Sequence, residues 1–262
     1  MKKLFLFLPF FILILLLILI SFKNESRERA TIARVIDGDT VELANGKKIR
    51  LLGIDAPEEG HYYFKESKEK LKGLVEGKTA FLEKDISNTD KSGRLLRYLF
   101  VDDVFVNLEM IRGGYANVYI IPPNTKYEKD MIKAEEDARK REIGIWKRSN
   151  KTYAACIKIL KFNYDAKGED SKNLNDEYVT FENICSFPIN FEGWTIRDRS
   201  FNYYKFPKFI LNPKSNFTLY SGSGKDSNLE LYWNSKFSIW NNEGDSLYLR
   251  DKEGDLILIK TY

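Results

Sequence analysis

At 262 residues, with 43% hydrophobic and 14% aromatic content, the chain has material for two modest packed domains, which excludes global disorder. A formal net charge of +4 on 31% charged residues is too small to mark a nucleic-acid binder by bulk charge, so any phosphate recognition has to be local. One histidine, His61, and two cysteines, Cys156 and Cys185, exclude a zinc cluster or a histidine-based centre built from them alone, which leaves chemistry to carboxylates and arginines.

Leu4 to Phe22 carries no charge and follows Lys2 and Lys3. A spanning helix needs about 20 apolar residues, so residues 4–22 read as a membrane anchor, or as a signal peptide if cleaved. No small-residue cleavage site follows, and Lys2 and Lys3 on the inner side would send the remainder out of the cytoplasm. The expected location is membrane-anchored with both domains outside, or secreted if the segment is removed.

Beyond this segment, residues 1–29 give way to alternating runs: Thr31 to Ile36, Val41 to Leu43, and Ile49 to Ile54 after Asn45-Gly46. Asn-Gly predicts a two-residue turn, which pairs Arg50 with Val41 and Asp39 with Leu52. Phe64 to Val75 is a charged helix with Leu71, Leu74 and Val75 on one face. Thr79 to Leu82 and Leu95 to Val106 read as strands, the latter folding back at Asp102-Asp103, and Asn107 is placed to cap a short helix, Leu108 to Arg112. A last helix from about Tyr127 to Arg141 packs a Met131, Ala134, Ala138 stripe, and its interleaved charges read as a solvated face. Five strands with helices in this order predict an OB-type barrel with appended helices over residues 30–149.

Lys147 to Thr152 is the expected linker. Residues 150–262 then show short strands between Asn, Gly, Pro and Ser: Ile157 to Phe162, Tyr178 to Glu182, Trp194 to Arg197, Phe217 to Tyr220 and Leu247 to Arg250. That pattern predicts a β-sandwich, with Trp194, Trp233 and Trp240 in its core or at its edges. Cys156 and Cys185 either form a disulfide or remain as two buried thiols. The chain is therefore expected to be mainly β with helices.

The chemistry-bearing residues cluster near strand ends: Asp37-Gly38-Asp39-Thr40, Arg50, Asp55-Ala56-Pro57-Glu58, and Asp90-Lys91-Ser92-Gly93-Arg94. Taken singly, each is an ordinary turn or a solvated charge. In a flat strand Asp55 would lie ~10 Å beyond the residue paired with Asp39, so a shared ion requires a bend, for which Gly38 and Gly53 are placed. Given that bend, Asp39, Asp55 and a backbone carbonyl such as that of Ala56 offer the oxygen ligands that calcium prefers. Arg50 and Arg94 match two phosphate oxygens, and Glu58 stands where it could take a proton from an attacking water. His61 has no nucleophile partner and is given no role.

The order Val-Ile-Asp-Gly-Asp-Thr-Val, Ile-Arg-Leu-Leu-Gly-Ile-Asp-Ala-Pro-Glu and Asp-Lys-Ser-Gly-Arg resembles the staphylococcal thermonuclease family over roughly Ala30 to Trp146. The resemblance implies an OB-fold and a calcium-dependent, sugar-nonspecific hydrolase of DNA and RNA that leaves 3′-phosphate products. It carries over as Asp39 and Asp55 for calcium, Arg50 and Arg94 for phosphate, and Glu58 as general base, with Lys91 and Tyr119 contacting a terminal phosphate. Ala56 replaces the family's threonine, which leaves its backbone carbonyl in place, and Ser92 replaces a tyrosine. The C-terminal half resembles lamin-tail domains through Gly193-Trp194-Thr195-Ile196-Arg197-Asp198, Tyr204-Lys205-Phe206-Pro207 and Trp240-Asn241-Asn242-Glu243-Gly244-Asp245. This implies an immunoglobulin-like sandwich with a binding or tethering role and an unknown ligand. The alternative is a catalytically inactive OB-fold module that binds nucleic acid or protein while tethered to the membrane.

Overall fold

The first hairpin turns through three residues, Ala44 to Gly46, and not two. The Leu43 amide donates to the Lys47 carbonyl at 2.9 Å, and Gly46 alone adopts a left-handed backbone, with φ +81°. A two-residue turn of the expected type needs positive φ at both central positions, and Asn45 does not adopt it. Register therefore shifts by one: Arg50 pairs with Thr40 and not with Val41.

The computed structural model describes residues 28–262, and the expected membrane segment at 4–22 lies outside them. Among the described residues no helix is long and apolar enough to cross a membrane. They divide into two compact units, one running to Ile145 and the other from Trp146 to Tyr262.

In the first unit β1 (Glu28–Val35), β2 (Thr40–Leu43) and β3 (Lys48–Leu51) form a meander, after which β4 (Gly53–Asp55) leaves the sheet. Helix α1 (Phe64–Val75) has the predicted bounds, and β5 (Thr79–Glu83), β6 (Leu95–Val101) and β7 (Val104–Phe105) follow it. Antiparallel pairing of β1 with β5 and β5 with β6, and parallel pairing of β3 with β6, close a five-strand barrel. Alternation puts Ile32, Val41, Ile49, Leu82 and Leu99 inside it. Helices α2 (Val106–Arg112) and α3 (Glu128–Lys140) add Met110, Ile111, Met131 and Ala134 to the same core, and β8 (Asn117–Tyr119) pairs with β4.

Two polar residues act otherwise than predicted. Asn107 does not cap α2, which begins a residue earlier without a side-chain cap. Fully buried, Asn107 accepts from the Leu99 amide at 2.9 Å and donates to the Leu52 carbonyl at 2.8 Å, tying α2 to two points of the barrel. Glu135, on the helix face read as solvated, is buried and accepts from the Val118 amide at 2.8 Å.

The second unit contains β9 (Ile157–Asn163), β10 (Tyr178–Asn183), β11 (Ile189–Asn190), β12 (Thr195–Arg197), β13 (Tyr203–Lys205), β14 (Ile210–Leu211), β15 (Asn216–Tyr220), β16 (Glu230–Tyr232), β17 (Ser246–Arg250) and β18 (Leu256–Thr261). They form two four-stranded sheets, ordered β16-β15-β10-β9 and β13-β12-β17-β18, and the small pair β11-β14. Val179, Phe181, Phe217 and Leu219 from one sheet share a core with Ile196, Leu247 and Leu249 from the other. Trp194 and Trp240 are buried in that core, and Trp233 packs at its edge. Cys156 and Cys185 form a disulfide.

The expected linker is structured at its start. Lys147 to Ser149 lies along β18: the Ser149 amide donates to the Leu256 carbonyl at 2.9 Å, the Leu256 amide donates to the Lys147 carbonyl at 2.8 Å, and Lys147 pairs with Asp255.

Candidate active site

Two glycines create the geometry that the sequence required. At Gly38 a side chain would place its Cβ 2.6 Å from the Ala56 Cβ and 2.1 Å from the Ser67 Oγ, so the acidic turn can approach β4 and α1 only without one. Gly53 takes φ +76° at the corner between β3 and β4, a conformation that glycine adopts without strain. The chain turns there, and Asp55 swings back toward Asp39.

The two aspartates meet on Arg50. The Arg50 Nε lies 3.1 Å from an Asp39 oxygen, and its Nη2 lies 2.6 Å from the Asp55 Oδ1. Its Nη1 donates to the carbonyls of Leu51 at 2.8 Å and Ile54 at 2.7 Å, so the same guanidinium also braces the corner. The other Asp39 oxygen accepts from the Ala56 amide at 2.9 Å, and Thr40 Oγ1 donates to Oδ1 at 2.9 Å.

Burial pushes the Asp39 carboxyl above its ordinary value; the Arg50 charge opposes this and Asp55 adds to it. Asp37 is raised too, first by burial and then by repulsion from Asp39. Two carboxyls thus share the Arg50 guanidinium while Asp37 sits against Asp39, so acidic groups outnumber the cation here. Among the described residues no three His, Cys, Asp or Glu side chains form a ready-made metal nest. The donors present, Asp39 and Asp55 with backbone carbonyls beside them, are all oxygen, a set that suits a hard divalent cation with water completing its shell and not a soft one.

Arg94 stands at the end of a turn built by Asp90. The Asp90 Oδ1 accepts from the amides of Ser92 and Arg94, both at 2.9 Å, while its Oδ2 takes the Arg94 Nε at 2.6 Å. Burial raises the Asp90 carboxyl, but these bonds and the Arg94 charge together hold it below its ordinary value. The Arg94 Nη1 reaches Thr40 Oγ1 at 3.5 Å, which links this turn to Asp39.

A cavity of about 560 Å³ opens here, walled by Arg50, Lys91, Arg94 and Tyr119 together with Leu52, Leu96 and Ile121. The structure thus brings together Asp39, Asp55, Ala56 and Arg50, and sets Arg50, Arg94, Lys91 and Tyr119 around one space. Glu58 is different. It stands exposed in the next loop, and its side chain makes no hydrogen bond or ion pair with the described residues.

Sequence reasoning missed Asp90 as the anchor of Arg94, and Thr40 as the link between Asp39 and Arg94. The signal for Asp90 was its place at the head of Asp-Lys-Ser-Gly, where an aspartate bonds backbone two residues on. For Thr40 no local signal existed, because its contact to Arg94 joins residues 54 apart in the chain.

Comparison with known proteins bears on both parts of the chain. A family model described as Staphylococcal nuclease homologue matches residues 48–148, and one described as Lamin Tail Domain matches residues 150–262. The chain is 34% identical to an endonuclease of Bacillus subtilis (strain 168) over 152 residues, covering 52% of this chain and 72% of that protein. It is 32% identical to the thermonuclease of Staphylococcus intermedius over 130 residues, covering 46% of this chain and 77% of the relative. An uncharacterized endonuclease of Escherichia coli O157:H7 is 36% identical over 121 residues, covering 44% of this chain and 74% of the relative. With its barrel, its carboxylate pair on Arg50 and these relatives, the chain belongs to the staphylococcal nuclease homologue family and carries a lamin tail domain after the barrel.

Proposed function

We propose that this chain is a nuclease that hydrolyses phosphodiester bonds of DNA and RNA without selecting the sugar, depends on calcium, and leaves 3′-phosphate ends. The observation that carries the reading is Arg50: it belongs both to the Asp39 and Asp55 cluster and to the wall of a cavity shared with Arg94, Lys91 and Tyr119. Asp39, Asp55 and the Ala56 carbonyl would hold the calcium, which would supply polarisation of a phosphate oxygen.

The remaining work falls to side chains. A guanidinium has five N–H donors; Arg50 commits three of them, on Nη1 and Nη2, to hydrogen bonds inside the protein and sets its Nε against Asp39 as an ion pair, which leaves one on Nη2 for a phosphate. Arg94 keeps its whole Nη2 group outward of these bonds and is the wider phosphate clamp. Glu58 accepts the proton of the attacking water. Lys91 and Tyr119, across the same cavity, take a terminal phosphate.

The two four-stranded sheets around one core support an immunoglobulin-like reading of the second unit, with a tethering role. The Cys156–Cys185 bond supports an oxidising compartment, consistent with an N-terminal segment at residues 4–22 that directs the chain out of the cytoplasm. Protease digestion of intact cells would then remove both units.

Incubating purified protein with plasmid DNA and with RNA, in calcium or in chelator, tests the enzymatic reading. Expected are degradation of both in calcium alone, DNA ends that a polymerase extends only after phosphatase treatment, and a rate lower by ~100-fold or more for Arg94→Ala. No calcium-dependent degradation by the unmutated protein would leave the barrel as a binding module.

A further inference from the structure

The Glu58 side chain is exposed and unbonded, so its place relative to Asp39 and Arg50 is set through the backbone of its loop, and both ends of that loop are defined. One end is held where the Ala56 amide meets Asp39. The other end is Tyr63, the residue from which α1 departs. Its backbone is left-handed, at φ 69° and ψ 8°, a region that a bulky aromatic residue rarely occupies. No side chain caps the helix there.

The Tyr63 carbonyl accepts the Ser67 amide at 3.0 Å, so the left-handed residue is also the start of the helical ladder. Within the loop, the His61 amide donates to the Glu58 carbonyl at 3.0 Å and the Phe64 amide to the His61 carbonyl at 3.3 Å. These two bonds tie the loop to itself but not to the barrel. One tie to the rest of the unit is the Tyr63 ring, whose centroid lies 5.7 Å from that of Tyr115. Tyr115 is in turn fixed, since its carbonyl accepts the Ser67 Oγ at 2.8 Å and Ser67 is packed beneath Gly38 in the acidic turn.

We propose that Tyr63 is a positioning residue: its ring, packed on Tyr115, holds the left-handed turn that closes the loop and so fixes Glu58 beside the carboxylate cluster. This rests on the reading of Glu58 as the general base. The hydroxyl has no part in it; the ring and the backbone conformation do.

Glycine adopts the same backbone without a ring, so Tyr63→Gly removes the packing while sparing the turn. Cleavage of a defined oligonucleotide in calcium is compared for the unmutated protein, Tyr63→Phe, Tyr63→Gly, Glu58→Ala and the double variant. Tyr63→Gly is expected to lower kcat by ~10-fold or more with KM within about threefold, as a misplaced group does, whereas Tyr63→Phe retains kcat. In the Glu58→Ala background Tyr63→Gly should cost nothing further. In metal-free protein, hydrogen exchange at the His61 amide should speed up in Tyr63→Gly. Should Tyr63→Gly unfold, Tyr115→Leu removes the other half of the packing and is expected to show the same fall in kcat and the same faster exchange. Full kcat in the ring-deleted variants alongside an impaired Glu58→Ala overturns this inference alone, as do additive losses in the double variant. A fully active Glu58→Ala overturns the reading of the base and this inference with it.

Discussion

Asp198 is almost wholly buried in the second unit, where its carboxylate accepts from the amide and side chain of Asn202. Burial, with Asp245 adding to it and Asn202 and Arg197 opposing, pushes its pKa from 3.8 up to about 6. A raised carboxyl favours the protonated folded state. Its stabilising contribution is therefore complete below pH ~4 and is lost as pH rises through ~6, on the order of 3 kcal/mol. Thermal unfolding of the second unit between pH 4 and 7 should show this slope, and Asp198→Asn should flatten it. In the candidate site, Asp39, Asp55 and Arg50 were legible because carboxylate and guanidinium chemistry is local to each residue. What Arg50 does beyond that was not legible. Its bonds to the Leu51 and Ile54 carbonyls flank the turn at Gly53, a backbone feature outside Arg50 itself.

Elements differ in how far pattern determines them. Helix α2 is too short to hold itself by propensity, and Asn107 joins it to β6 and to the corner after β3. Asn107→Ala leaves the Leu99 amide and the Leu52 carbonyl unpaired in the core. Denaturant titration should register a loss of about 2–4 kcal/mol. The same residue shows where pattern reading stops: an asparagine before an apolar run satisfies the rule for a cap, yet tertiary contacts claim it. Helix α1 was legible to the residue because Gly77 and a clear apolar face bound it. The hairpin register was not, since Asn-Gly serves both two- and three-residue loops and the choice rests on the backbone of Asn45. In the second unit, β11 to β14 include pairs two residues long, below any detectable alternation. The pairing of β11 with β14 defines those two.

At the scale of the whole molecule, the two units can be followed separately because all four tryptophans, Trp146, Trp194, Trp233 and Trp240, belong to the second. The disulfide there closes a sequence separation of 29, and its reduction should remove about 3–4 kcal/mol from that unit. Tryptophan fluorescence should accordingly show a lower unfolding midpoint in reductant, while hydrolysis by the barrel persists. Fold class and the order of the two units were legible from composition and period, since a helical stripe and a two-residue alternation bury different faces. The expected linker was not, because Lys147 to Ser149 has the polarity of a tether yet belongs to the second unit and lies along β18 through a parallel bridge. That placement has a practical consequence for anyone dividing the chain. A fragment begun at Thr152 would bare the free amides and carbonyls of a terminal strand, inviting like molecules to join edge to edge, whereas one begun at Trp146 keeps its own cover.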